Sequence, residues 1–258
     1  MITSSSNIQL KQIAKLQKQA KTRKEQGAFL IEGKKLLEEA KRWGKLKKVY
    51  ASEAFYLEEG NKQLLQDLET EIVEDKLFRT LTDTMTPQGV LAIAAMPSYS
   101  PEELLEEQAG CFLILENLRD PGNLGTIMRT AEGAGMTGVI LSKESVDLFN
   151  PKVVRATMGA IFRQPFFYVE DCIGWVQHMK TKDYHIFGTA MEGELLYDEA
   201  DYHGRTGIVI GNEASGLSPQ MLAAIDRKVR IPMAGHLESL NAAVAAALFM
   251  YETARQRR

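Results

Sequence analysis

Residues 114–135 read ILENLRDPGNLGTIMRTAEGAG. The apolar run Phe112-Leu113-Ile114-Leu115 stops at Glu116, and the turn-rich Asp120-Pro121-Gly122-Asn123 follows it. A helical pattern then carries Arg129. In an α/β protein the loop between the carboxyl end of a strand and the next helix faces the ligand crevice. Here that loop brings a side-chain amide and an arginine expected on the buried side of its helix, so it is a candidate site.

On the C-terminal side of this stretch, strands are expected at 111–116, 138–141, 185–189, 207–211 and 228–231. Helices are expected at about 124–134, 151–158, 171–179, 218–225 and 239–255. Regular strand–helix alternation points to an α/β fold with a parallel sheet covered on both faces. On the N-terminal side, Pro97-Ser98-Tyr99-Ser100-Pro101 reads as a linker. Before it lies a smaller α/β unit. Its pattern predicts one amphipathic helix over 9–26, a strand at 28–31, a helix over 34–43 closed by Gly44, a strand at 48–51, a polar helix over 62–70 and a strand at 89–94. The domains are therefore expected at 1–97 and 109–258, with 98–108 as connector.

The 258 residues suffice for two ordinary domains, and 45% hydrophobic with 25% charged content is that of a soluble globular chain. No apolar run approaches the roughly 18–20 residues of a bilayer span. MITSSSNIQLKQ lacks the apolar core of a secretory signal, so a cytoplasmic setting is expected. Cys111 and Cys172 then read as reduced thiols. The four histidines (His178, His185, His203, His236) form no ligand pattern, and no metal is expected.

The net charge of −3 conceals an asymmetry: residues 11–48 hold thirteen Lys/Arg against four Glu. Such a block on an otherwise acidic chain is the footprint of a polyanion-binding module. Lys15, Lys18, Lys21, Arg23 and Lys24 are its candidate nucleic-acid contacts. A solvated helical face would look the same by charge alone.

Two further loops follow strands. Gly211-Asn212-Glu213-Ala214-Ser215-Gly216-Leu217 carries a carboxylate at its tip, and Ile231-Pro232-Met233-Ala234-Gly235 leads to Ser239-Leu240-Asn241 before an Ala-rich helix. Neither G-x-G-x-x-G nor G-x-x-x-x-G-K-[ST] is present, so the dinucleotide and P-loop fingerprints are missing.

With Asn123-Leu124-Gly125-Thr126-Ile127-Met128-Arg129-Thr130-Ala131, these loops form three spaced motifs in which the chain resembles the SpoU/TrmH-type RNA 2′-O-ribose methyltransferases of the SPOUT superfamily. Asn150 to Ala160 resembles a further family segment. The likeness is full over about 110–258. It is looser before that, where Phe29-Leu30-Ile31-Glu32-Gly33 and Pro87-Gln88-Gly89-Val90 look like parts of the family's small L30e-like RNA-binding domain. The resemblance implies a C-terminal trefoil knot, an exception to the rule against threaded chains. It implies S-adenosyl-L-methionine as cofactor, held near Thr189, Ala190, Gly211, Asn212, Ile231, Met233, Ser239 and Leu240. It also implies catalytic roles for Asn123, Arg129, Glu213, Ser239 and Asn241, a structured RNA substrate of the 23S rRNA kind, and a homodimer through the C-terminal domain. The final helix would contribute Val244, Leu248 and Tyr251 to that dimer, with Ala243 and Ala247 adjoining.

Guanidinium stays charged, so Arg129 suits gripping a phosphate beside the target hydroxyl better than removing its proton. Asn123 is expected to fix the loop and the arginine, or to cap the helix. The chain departs from many relatives in reading Ser239-Leu240-Asn241-Ala242-Ala243, without a second serine. The alternatives are a tRNA 2′-O-methyltransferase, a base methyltransferase of the same superfamily, and a non-catalytic RNA-binding ribosome-assembly factor. Retention of the motif residues argues against the last.

Overall fold

The computed structural model describes all of residues 1–258. The first part of the chain forms α1 (Ile8–Lys18), α2 (Ala20–Gln26), β1 (Ala28–Glu32), α3 (Lys34–Arg42) and β2 (Leu46–Ser52). It continues through α4 (Glu53–Leu57), α5 (Glu59–Leu65), β3 (Thr70–Val73), α6 (Asp75–Phe78) and β4 (Val90–Ala95). Then come α7 (Pro101–Leu105), β5 (Cys111–Leu115), α8 (Pro121–Ala134), β6 (Gly138–Ser142), α9 (Pro151–Ala156), β7 (Phe166–Val169) and α10 (Cys172–Thr181). The last elements are β8 (His185–Thr189), β9 (Leu195–Leu196), β10 (Thr206–Ile210), α11 (Pro219–Ala224), β11 (Arg227–Arg230) and α12 (Ala242–Gln256).

Two compact units result, one of residues 1–97 with 147–162 and one of residues 98–146 with 163–258. The first departs from sequence expectation because it takes in α9 and its flanks. Phe29 of β1 packs on Phe149 and Phe162, at centroid distances of 4.8 and 5.8 Å. Glu32 accepts from Thr84 and pairs with Arg155 at 3.5 Å. Its sheet runs β1-β4-β2-β3, with β4 antiparallel to β1 and β2, and β2 parallel to β3.

The single helix expected over 9–26 is two helices. Gln19 is extended (φ −120°, ψ 108°), and the turn brings Arg23 beneath α1. Its Nη1 donates to the carbonyls of Leu16 and Gln17 at 2.6 and 3.1 Å, satisfying acceptors left over at the end of α1. Its Nη2 meets Asp147 at 2.5 Å. Arg23 is 3% exposed, so it is a structural residue and is withdrawn from the RNA contacts. Lys15, Lys18, Lys21 and Lys24 are exposed.

In the second unit the sheet order is β7-β6-β5-β10-β8-β11-β9, with every pair parallel. All five residues of β5, β6 and β10 are buried, as strands covered on both faces require. Alternate strand residues Phe112, Ile114, Ile140, Ile186 and Val209 join Val176 and Met179 of α10 and Met221 of α11 in one core. On the opposite face α8 packs against α12. The expected connector is not free: Leu105 is fully buried in that core, and its carbonyl accepts from the Tyr184 hydroxyl at 3.2 Å. Strands β3, β7 and β9 were not expected, and α12 starts at Ala242 rather than 239.

From β5 the chain moves outward through β6 to β7, then returns to β8 on the other side of β10. The strand order therefore reverses between β5 and β10. In a sheet of this kind the ligand crevice lies outside the carboxyl ends of the strands at that reversal.

Candidate active site

The loop leaving β5 enters α8 through Asp120, whose side chain accepts from the Asn123 N–H at 2.7 Å, with Pro121 in the first turn. Asp120 is thus the cap, and Asn123 sits within the first turn with its side chain free for other partners. Asn123 is 9% exposed. Its Nδ2 donates to Glu213 Oε1 at 3.1 Å, and its Oδ1 accepts from Asn241 Nδ2 at 2.9 Å. One asparagine therefore joins all three motif loops.

Glu213 reinforces the join. It accepts from the N–H groups of Asp120 and Arg119 at 2.9 and 3.2 Å. Burial opposes its ionisation, but donation from Asp120, from Asn123, from its own N–H and from Arg119 outweighs this and lowers its pKa. At neutral pH it is an anchored carboxylate and a weak proton acceptor. Next to it, Asn212 Nδ2 donates to the Asn117 carbonyl at 2.8 Å, where the backbone is left-handed (φ 58°). Buried Glu116 ties the same strand end to α11, accepting from the Ser218 N–H and hydroxyl at 2.8 and 2.6 Å. Asp120, Asn117 and Glu116 were not singled out from sequence. The Asp-Pro pair at 120–121, a helix-start signal, could have found the first.

Asn241 also caps α12, its Oδ1 accepting from Ala243 and Val244 at 2.9 and 3.3 Å. Preceding it, residues 231–240 form no hydrogen bond among themselves or with the rest of the chain beyond strand β11. Their main-chain donors and acceptors, and the Ser239 hydroxyl, are left to solvent or ligand.

The candidate cofactor residues fall on neighbouring strand ends. Thr189 ends β8, Gly211 and Asn212 follow β10, and Ile231 follows β11. Ala190 donates from its N–H to the Val229 carbonyl at 3.0 Å, keeping these ends level. A side chain at Gly211 would collide with the backbone of Gly216 and Leu217, so glycine is required for the loop to fold back. Thr189, Ala190 and Ile231 at these strand ends are half-buried, as are Met233 and Leu240 in the unpaired segment, so polar and apolar surface lies beside unsatisfied main chain. That fits a ligand with an apolar body and hydrogen-bonding edges, as S-adenosyl-L-methionine has.

Arg129 is exposed, contrary to the buried side expected of it, and has no hydrogen bond or ion pair. A six-residue step advances about 9 Å along a helix and roughly 240° around it, which separates it from Asn123. Asn123 therefore does not fix the arginine. Arg129 instead shares a face with Gly133, above which the Tyr251 hydroxyl of α12 lies. Val244 and Tyr251 are 50% and 51% exposed on that side of α12.

Residues 110–251 match the SpoU rRNA Methylase family, and residues 7–92 match the MRM3-like substrate binding domain. Fold and site are thus those of a methyltransferase joined to a substrate-binding domain. The chain belongs to the SpoU rRNA Methylase family. It is 34% identical to the 23S rRNA (guanosine(2553)-2′-O)-methyltransferase RlmP of Bacillus subtilis, over 97% of each chain. The SpoU methyltransferase AviRb of Streptomyces viridochromogenes, solved with AdoMet, superposes with a TM-score of 0.88 at 28% identity, covering 97% of this chain and 98% of that one. An AdoMet-bound rRNA methyltransferase of Sinorhizobium meliloti gives 0.83 at 33% identity, covering 98% and 97%.

Proposed function

We propose that this chain is an S-adenosyl-L-methionine-dependent methyltransferase acting on a ribose 2′-hydroxyl of 23S rRNA. The observation that carries the reading is the bonded chain Asn241–Asn123–Glu213, which gathers three motif loops where the strand order reverses. When bound, S-adenosyl-L-methionine supplies a sulfonium methyl open to attack by an oxygen nucleophile. Thr189, Ala190, Gly211, Asn212, Ile231, Met233 and Leu240 hold it, with Ser239 at the exposed rim. Asn123, Glu213 and Asn241 keep the two sides of the crevice in register. Arg129, unpaired, grips the RNA phosphate beside the target ribose by charge-assisted bonds. Lys15, Lys18, Lys21 and Lys24 bind RNA backbone on the N-terminal unit. With the family fold goes a trefoil knot formed by the segments after β10 and β11. Two free thiols suit a reducing cytoplasm.

A homodimer belongs to the same reading. Val244 and Tyr251 are exposed with half-buried Leu248 between them, and Tyr251 reaches the α8 face that carries Arg129, so a second copy covering this stripe would also border that guanidinium. Light scattering after size exclusion should give twice the chain mass, and Val244→Glu should give a monomer.

Transfer of labelled methyl from the cofactor to 23S rRNA and to tRNA tests the activity. Label in 23S rRNA at a phosphodiester that resists alkaline cleavage supports it. Label in tRNA alone, or at an alkali-sensitive position, overturns the substrate or the chemistry.

A further inference from the structure

The first unit carries a groove of about 410 Å³ lined by Gln9, Gln12, Gln26, Lys47, Lys48 and Tyr50, over the buried Ala28 and Ile93. That volume is within the roughly 300–1,000 Å³ of small-ligand sites, the size of a nucleotide. Its walls are α1, the end of α2 and the start of β2.

The walls are built for hydrogen-bond readout. Gln12 Nε2 donates to Gln26 Oε1 at 3.0 Å, which leaves the Gln12 carbonyl and the Gln26 amino group without partners. One acceptor and one donor side by side match the edge of a nucleobase. Gln9 is held in place, accepting from the Tyr50 hydroxyl at 3.1 Å. Successive strand residues ordinarily face opposite sides, but the register of β2 shifts between Leu46 and Lys48, so Lys47 and Lys48 both line the groove. Lys48 is neutralised by Glu69 and Glu71 at 3.0 and 3.2 Å. Lys47 is exposed and donates to the Gln26 carbonyl at 3.3 Å, with no carboxylate partner. The groove thus has one uncompensated positive charge.

Two features flank it. On α1 the exposed Lys11, Lys15 and Lys18 follow one another at helical spacing beside Gln12. Trp43, 46% exposed, ends α3 at the same end of the sheet, where the Ala95 N–H donates to the Lys45 carbonyl at 2.7 Å. An exposed indole that follows Arg42 and precedes Lys45 in the chain offers a face on which an unpaired base can stack.

We propose that this groove binds one unpaired nucleotide of the RNA substrate: Gln12 and Gln26 read the base edge, Lys47 holds the phosphate, and Trp43 stacks a neighbouring base. The inference rests on the RNA-methyltransferase reading and locates where the substrate is recognised as a single strand.

The test uses the full chain, fluorescein-labelled single-stranded RNA decamers of each base, and a ten-base-pair RNA duplex. Gln12→Ala/Gln26→Ala and Trp43→Ala should each weaken single-strand binding about tenfold and leave duplex binding as it was. Lys47→Ala should flatten the salt dependence by about 0.7 in the log–log slope, one phosphate contact. Photocrosslinks from a 4-thiouridine decamer should map to residues in 9–12, 26–28 or 43–50. No single-strand binding by the unmodified chain, equal binding by all variants, or crosslinks elsewhere overturns the proposal. Methyl transfer to a 23S rRNA transcript by the unmodified chain is scored separately: its absence overturns the activity, while the binding data still decide the groove.

Discussion

Asn241 Nδ2 donates to Asn123 Oδ1 at 2.9 Å across 118 residues of chain, and the amide of the same Asn123 donates to Glu213 at 3.1 Å. The bonds tie the start of α12 to the start of α8 and to the loop after β10. Asn123→Ala leaves the Glu213 carboxylate short of a donor and the Asn241 amide short of an acceptor, and losing these two hydrogen bonds should cost about 1–3 kcal/mol in unfolding free energy. Asn123→Asp keeps the shape but sets a second carboxylate against Glu213, so it should be the less stable variant at neutral pH. Denaturant unfolding of both decides this, and an aspartate variant as stable as the alanine one would sink the charge argument.

Glu213 makes stability at this loop depend on acid. Its carboxyl pKa is lower folded than unfolded. Its contribution is therefore complete above the ordinary carboxylate pKa and lost as the pH falls through the lower folded value. Glu213→Gln should be less stable at neutral pH and lose less on acidification. Urea midpoints compared between about pH 7 and pH 3 measure it.

Arg23 and its lysine neighbours should separate cleanly. Arg23→Ala strands Asp147 and two carbonyls, and removing one partner of such a pair costs about 3–5 kcal/mol. Replacing Lys18, Lys21 and Lys24 with alanine should barely move the melting temperature while weakening RNA binding and reducing its salt slope. Equal RNA affinity in the lysine variant would remove this face from the interface.

Arg129→Ala removes a side chain with no partner in the chain, so the melting temperature should hold. Methyl transfer should drop by about a hundredfold or more, the scale of a lost charge-stabilising donor. Retained transfer would place the phosphate grip elsewhere.

The thiols should be inert. Burial pushes Cys111 up to about 11; burial, with the charges of Glu116 and Asp171 adding, pushes Cys172 up to about 12. Thiolate is the reactive form, so Ellman's reagent at about pH 8 should titrate almost nothing until denaturant is added, then both.

Much of this is legible in the sequence alone. The unbroken apolar runs of β5 and β10 announced central parallel strands, and Asp-Pro, Gly and Asn marked the loops that carry the site. Strand β7 escaped because Phe166–Val169 is four residues long behind a proline, too short to show a period. Strand β3, Thr70–Val73, lies at a sheet edge and is only partly apolar.

What the chain determined by itself is what acts between near neighbours: strand and helix periods, caps, turns, and the cationic stripe of α1. Tertiary structure alone decided that Arg23 is a buried strut and Arg129 an exposed, unpaired cation, since a charge pattern does not say which cation finds a carboxylate 124 positions away. It alone carried residues 147–162 into the first unit. It alone made one network of Asn123, Glu213 and Asn241, because those bonds form after the sheet has brought three distant loops to one edge.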